Sequence, residues 1–480
     1  MEPDVKSGID VAVTCYFTDQ AWINGAWASD VLLSVDRDGL WCGVEVDVPA
    51  GLRRNAMRLP GSVLPGLVNA HSHAFQRAIA GLTECRKTVV TAPVDDDFWS
   101  WRERMYSAAN RISPGQLEAI ATFLYAELLM GGYTHVCEFH YLHNGTDGKP
   151  YADSLEMSHA LVRAAQNVGI GLTLLPTLYM RSGFGASGLR QEQRRFASTP
   201  DSVLRILEGI ATEGNLVGAG VAVHSLRAAD INAINEVSQA VKSKNTAIHI
   251  HIAEQIQEVD DCLAHHGQRP VALLLDRVDV SRHWNLVHAT HTNLIELAAI
   301  QQSGASIVIC PGTEANLGDG VFDYPGFGDL KGNWSIGSDS HASRSWVEEL
   351  RLLEYSQRLT LRKRNIAARV AGCDSSAAAL FNAALAGGRP ATSLPVGGIA
   401  IGNRADFLVI DKDAPALLGI PPAQLLDAMV FSSPGSGFSQ VFVAGRQVVN
   451  AGELTGSQTA THQGPHLAEN FRRAMKELWS

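Results

Sequence analysis

A chain of 480 residues with 46% hydrophobic and 18% charged content can bury a large core, as about two domains or one barrel with an appendage. Its net charge of −10 argues against a general nucleic-acid or anionic-membrane binder, so an acidic substrate would need specific arginines. Seven cysteines without paired spacing, an opening that reads as neither signal nor transit peptide, and no apolar run of about 18 residues point to a reduced cytoplasm and no membrane span.

In chain order, the first segments alternate, as in Val11-Ala12-Val13-Thr14-Cys15-Tyr16 and Leu32-Leu33-Ser34-Val35, and are broken by Asn24-Gly25 and Asp38-Gly39. That is hairpin chemistry. It returns near the other end, in Ala405 to Ile410 and Gln440 to Arg446. A small β-sandwich built from both termini, residues 1–65 and 391–480, is therefore expected, with residues 66–390 inserted between them.

Inside the insert, strands alternate with helices. Leu64 to Ala70 is an apolar run closed by His71 and His73, two imidazoles on the same side of a pleat. Ser113-Pro114 starts a helix as cap and first-turn proline, and Gly131-Gly132 ends it. Further strand candidates are Thr134 to Tyr141, Gly171 to Thr177, Val217 to Val223, Ala247 to Ile252, Asn285 to Ala289, Ser306 to Ile309 and Trp334 to Ile336. With the first, these make eight, which predicts an α/β fold of the (β/α)8 TIM-like kind, with chemistry at the C-terminal strand ends.

Polar residues gather at those ends. His71, His73 and Gln76 follow strand one, Glu138, His140 and Tyr141 strand two, and His224 and Arg227 strand four. Strand five carries His249 and His251 with Glu254 beyond, strand six ends at His288, and strand eight runs into Ser338-Asp339-Ser340-His341. His71, His73, His251 and Asp339 make an N/O donor set suited to zinc, with iron or manganese as alternatives, and an open position for water.

Several neighbours have a plainer reading. His249, one layer deeper than His251, is read as core packing or support, and His140, His291 and His341 as satisfied loop or supporting histidines. Glu138 reads as a strand-end structural carboxylate, Asp95-Asp96-Asp97 as a solvated loop, and Arg102, taken alone, as a surface arginine stacked on tryptophan. Gly183-Phe184-Gly185-Ala186-Ser187-Gly188 matches the dinucleotide fingerprint in letters, but lacks its strand and acidic residue; it reads as a loop that could cover the barrel mouth.

Together these motifs resemble the amidohydrolase superfamily over essentially the whole chain. Within it, His71-Ser72-His73-Ala74-Phe75-Gln76-Arg77, Glu138-Phe139-His140-Tyr141, His249 to Gln255, Val287 to His291, Thr313 to Gly320 and Gly337 to His341 resemble the formimidoylglutamate deiminases of histidine degradation. The resemblance implies substrate contacts at Gln76, Arg102, Tyr141, His224 and Arg227, which overturns the surface reading of Arg102. Cys85 to Val94 matches no family pattern. Two-metal members usually end strand four in a carboxylated lysine or a glutamate, and here it ends Val223-His224-Ser225, so one divalent metal is expected.

The chemistry expected from that assignment is hydrolysis of N-formimino-L-glutamate to N-formylglutamate and ammonia, with zinc activating water near neutral pH. Asp339 would be ligand and base, Glu254 the proton shuttle, and His288 the stabiliser of developing charge. Arg227 with His224, and Arg102 with Tyr141, would clamp the two substrate carboxylates. The expected partners are this small dicarboxylate amidine and a second copy in a homodimer. The rival readings are a deaminase of a guanine- or cytosine-like ring and a non-catalytic barrel used for binding.

Overall fold

Segments that are apolar on both faces can only be strands buried on both sides, and eight of them pair side by side in parallel. The computed structural model describes residues 13–84, 98–210, 216–435, 437–455 and 464–480. The proposed loops at Cys85 to Val94 and Asp95 to Asp97, and the first residues of the Val11 segment, lie outside them.

The chain first runs through β1 (Thr14–Ile23), β2 (Ala26–Val35), β3 (Trp41–Glu45), β4 (Met57–Arg58) and β5 (Val63–Pro65). The inner strands follow: β6 (Leu67–Ser72), β7 (Tyr133–His140), β8 (Gly171–Leu178), β9 (Val217–Ala219), β10 (Val221–Val223), β11 (Ile248–Ile252), β12 (Trp284–His288), β13 (Ser306–Ile309) and β14 (Asn333–Ile336). Finally come β15 (Phe407–Ile410), β16 (Phe438–Val443), β17 (Arg446–Asn450) and β18 (Glu453–Leu454).

The barrel has the order β6-β7-β8-β10-β11-β12-β13-β14, with β9 pairing on β8. It closes through a parallel bridge between Ser72 and Asp339. The strand expected over Val217 to Val223 is two short strands, β9 and β10, with Gly220 between them. A Cβ at Gly220 would stand 2.7 Å from the Ala247 carbonyl, so the close approach requires glycine. Helix Pro114–Met130 has the expected cap, with Gln116 N–H on Ser113 Oγ (3.3 Å) and Ser113 N–H on Gln116 Oε1 (3.0 Å).

Both termini supply the second sheet, ordered β18-β17-β16-β15-β5-β1-β2-β3 with β4 on β1. It curls until Leu40 bridges Arg404, and encloses its own core of Tyr16, Leu33, Trp41, Phe407 and Phe442. We propose 1–65 with 391–480, and 66–390, as the domain boundaries. Among the described residues no helix is long and apolar enough to cross a membrane.

The passage from sheet to barrel is a single residue, Gly66, whose N–H donates to the Asp406 carbonyl (3.0 Å). Beside it Arg404 and Asp406 form a buried pair at 2.6 Å; Arg404 also meets His135 Nδ1 on β7 (3.1 Å), and Asp406 accepts Ala444 N–H (2.9 Å). Removing one partner strands the other charge in the seam. Asp406→Ala is therefore expected to lose on the order of 3 kcal/mol, read as a thermal midpoint several degrees lower by circular dichroism. An unchanged midpoint would show that the seam does not depend on this pair.

Candidate active site

Strands one and eight meet at the expected donor residues. Asp339 N–H donates to the His71 carbonyl (3.0 Å) and His73 N–H to the Asp339 carbonyl (3.3 Å). Gly337 permits the approach, since a Cβ there would lie 2.6 Å from His71 Cβ. Asp339 Oδ1 then stands 3.4 Å from both His71 Nε2 and His73 Nε2, and His251 Nε2 lies 3.0 Å from His71 Nε2. All four side chains are buried.

Two hydrogen bonds determine which ring nitrogens face inward. His73 Nδ1–H donates to the Phe139 carbonyl (2.9 Å) and His251 Nδ1–H to the His224 carbonyl (2.9 Å). Carbonyls only accept, so both Nε2 lone pairs point into the cluster. Burial lowers the pKa of all three histidines, that of His71 to about 3. Burial alone would raise Asp339, but His71, His73 and His288 hold it well below the usual carboxylate range. Neutral imidazoles around an ionised carboxylate are the donor state a divalent cation needs. Their spacing of 3.0 to 3.4 Å is also that of neighbouring donors on one ion with ligands at about 2.1 Å.

A buried frame holds these donors. Glu138 accepts Ala74 N–H (2.6 Å), Ser72 O–H (2.7 Å) and Tyr125 O–H (3.2 Å), bracketing the His71-Ser72-His73 turn. Asn69 Nδ2 donates to Ser338 Oγ (2.7 Å) and Asn69 Oδ1 accepts Ser338 N–H (2.9 Å). His341 links Ser338 Oγ (3.0 Å) to the His73 carbonyl (3.1 Å). His249 faces away, to the Ala391 carbonyl (2.8 Å) beneath the barrel, and His291 holds the Asp319 carbonyl (2.8 Å). His140 is buried with its ring 5.1 Å from that of His143. His140 Nε2 has no hydrogen-bond partner among the described residues, so its reading as a satisfied loop histidine does not hold.

On the other side of the cluster, His288 Nε2 lies 3.7 Å from Asp339 Oδ2 and 3.8 Å from Glu254 Oε1. Burial would lower the His288 pKa, but Glu254, Glu314 and Asp339 together hold it up to about 10. Burial raises Glu254, with Asp339 adding to the shift and His288 opposing it. The backbones that aim these groups are left-handed at Ala253, His288, Ala289, Asp339 and His341, each costing about 1–3 kcal/mol that the surrounding structure must offset.

The same pocket is lined by Gln76, Arg102, Tyr141, His224 and Arg227. Gln76 Nε2 donates to Tyr141 Oη (3.1 Å), and the His224 ring lies 4.3 Å from Tyr179 and 5.7 Å from Tyr141. Those five share the pocket with His73, His251, Glu254, His288 and Asp339, while His71 is fully buried and does not line it and His249 faces away. Trp101, Met105, Tyr106, Tyr179 and Phe196 also line it without having been foreseen, and Glu258 supports Glu254 from outside the lining. Their apolar or solvated-looking context carried no signal, except for Glu258, four residues beyond Glu254 on the next helix, where its Oε2 accepts Glu254 N–H (3.2 Å).

The chain belongs to the amidohydrolase family, which it matches over residues 62–448. Within that class it is 44% identical over 450 residues to the formimidoylglutamate deiminase of Pseudomonas aeruginosa, covering 93% of this chain and 97% of that protein. An amidohydrolase structure from Brucella melitensis superposes with a TM-score of 0.88 at 39% identity, over 97% of this chain and 100% of its own. An adenosine deaminase from Xanthomonas campestris with bound zinc shares the fold at a TM-score of 0.77 and 20% identity, over 97% and 98% of the two chains.

An amide in place of the Glu138 carboxylate keeps one acceptor for Ala74 N–H but loses the other, obliging the Ser72 and Tyr125 hydroxyls to turn round and accept from its NH2. Glu138→Gln is expected to lower the thermal midpoint by the equivalent of about 1–3 kcal/mol and to weaken retention of bound metal against a chelator. Wild-type behaviour in both measurements would remove Glu138 from the frame.

Proposed function

We propose that this amidohydrolase acts as a formimidoylglutamate deiminase, hydrolysing N-formimino-L-glutamate to N-formyl-L-glutamate and ammonia in histidine degradation. The observation that supports it most is that Arg102 and Arg227 line the same cavity as His73, His251 and Asp339 of the donor cluster, in a chain of net charge −10. Two guanidiniums suit a substrate with two carboxylates, and the 44%-identical relative bears that activity's name.

In this reading His71, His73, His251 and Asp339 hold one divalent ion, most consistent with zinc in its donor types. When bound, the ion supplies water acidic enough to ionise near neutral pH and a Lewis acid at the amidine. The protein's own groups do the rest. Arg102 with Tyr141, and Arg227 with His224, bind the carboxylates and fix the formimino carbon. Asp339 takes the proton of the attacking water. Glu254, whose raised pKa lets it carry a proton, gives one proton to the imine nitrogen and a second, taken up through Asp339 from the attacking water, to the leaving ammonia; the proton of the tetrahedral hydroxyl then restores it as the carbonyl forms. His288 stabilises charge at the tetrahedral centre. The reading includes a cytoplasmic homodimer, on the strength of the family resemblance.

A ring-amine substrate is the second reading, favoured by the aromatic walls Tyr106, Tyr141, Tyr179 and Phe196. Ammonia release from N-formimino-L-glutamate, guanine and cytosine, with products identified by mass, separates the two. Turnover of the ring amines alone would discard the formiminoglutamate assignment.

Two variants test the roles. Arg227→Met should lose most of kcat/KM on formiminoglutamate with its metal content intact, and unchanged efficiency would rule out that clamp. Glu254→Gln should keep the metal and lose at least about 100-fold in turnover. Near-normal turnover would exclude Glu254 as the shuttle.

A further inference from the structure

We infer that Glu314 is a positioning residue for His288: it fixes the ring orientation with which His288 faces the reacting centre. The inference rests on the reading above, in which His288 acts there.

His288 leaves β12 with a left-handed φ of 69°, and Ala289 follows at 52°, so strand geometry does not hold the ring. Its two nitrogens have different surroundings. Nε2 faces the cavity, 3.7 and 3.8 Å from Asp339 and Glu254. Nδ1 faces away, 3.3 Å from Glu314 Oε1. His288 is 1% and Glu314 4% exposed, so water does not compete for this contact. The same Oε1 accepts a backbone N–H, so it is an acceptor to which Nδ1–H donates, and Nε2 is the atom presented to substrate.

The support under Glu314 is itself rigid. The same Oε1 accepts Cys310 N–H at 2.9 Å, at the end of β13. Glu314 belongs to the short helix Pro311–Leu317, in which Gly312 N–H donates to the buried Glu349 (2.7 Å) and Thr313 Oγ1 accepts Ser340 N–H (3.0 Å). The carboxylate therefore ties the ends of strands six and seven together at a ring whose own backbone is irregular, and its helix reaches the end of strand eight through Thr313. A turn-capping role alone would be met by the Cys310 bond and would leave no reason for the same oxygen to reach the imidazole. The arrangement follows the carboxylate–imidazole logic of catalytic histidines, in which the far partner sets orientation without touching substrate.

The test compares E314A, E314Q, H288Q and the E314A/H288Q double variant, each checked by thermal unfolding for folding at the assay temperature. E314A should lower kcat roughly 100-fold with KM within about threefold and metal content unchanged, while E314Q, whose amide oxygen still accepts from Nδ1–H, recovers a substantial part. The double variant should be no slower than H288Q, because Glu314 acts only through that ring. Wild-type kcat in E314A, or losses that multiply in the double variant, would overturn the inference. A second readout does not need the substrate assignment. In protein labelled with 15N-histidine, the resonance absent from H288Q identifies His288. It should show an Nδ1–H proton shifted downfield by a strong hydrogen bond in the wild type and lose that signature in E314A. An unchanged signature would overturn the positioning role, whereas a wild type silent on formiminoglutamate would overturn the substrate reading alone.

Discussion

Everything at the site depends on how the barrel is closed. A parallel sheet of eight strands needs its first and last members to come within hydrogen-bond reach, and here that contact is made by the candidate metal donors. The bridge from Ser72 to Asp339 brings the two histidines of strand one and the carboxylate of strand eight to 3.4 Å. Gly337 gives the strands room to touch, and the pairing of Asn69 with Ser338 locks their register one layer below. A one-residue slip would turn His71 and His73 to the opposite face. Barrel stability and donor geometry are thus one structural problem, and Glu138 bracketing the strand-one turn serves both.

The electrostatics divide the cavity into two halves. Toward strands one and five the rings are neutral, because burial opposes their protonation and the neighbouring imidazoles, His288 among them, oppose it further. Toward strands five to seven, Glu254, Glu258, Glu314 and Asp319 are all buried around His288. There burial opposes ionisation of Glu254, Glu258 and Asp319, while the field of the surrounding carboxylates favours charge on the imidazole. One half suits a metal and the other suits proton movement. Arg102 and Arg227 stand at the rim of both, half-buried, where an anion can still reach them from solvent.

Much of this was legible in the sequence, for physical reasons. Strands buried on both faces read as apolar runs, and a residue that ends such a run must lie at a barrel mouth, which is why His71, His73, His288 and Asp339 could be placed together. The helix over Pro114–Met130 declared itself through its cap and its glycines. What was not legible depends on long-range approach. Gly220 splits one strand candidate in two because Ala247, 27 residues on, comes too close for a side chain. Arg102 looked like a surface stack because the tryptophans beside it outweigh anything local. Glu314 sat inside a motif that was singled out, yet nothing in the spacing says that its carboxylate meets His288, 26 residues earlier.

The end of strand four shows how the same scaffold settles on one set of donors. Its last residue before the loop is His224, and the carbonyl of that residue, not its ring, serves the cluster by orienting His251. The ring turns instead to Tyr141 and Tyr179 on the substrate side. A carboxylate or modified lysine at that position would offer a negative oxygen for a second ion; an imidazole packed between phenols, with its pKa pushed down by burial and by Arg227, offers a neutral polar surface beside a guanidinium. With the one ion we propose on this set of donors, no second ion would take up the proton and charge that move during hydrolysis. In that reading the task falls to Glu254 and His288, on which the buried carboxylates Glu258, Glu314 and Asp319 converge.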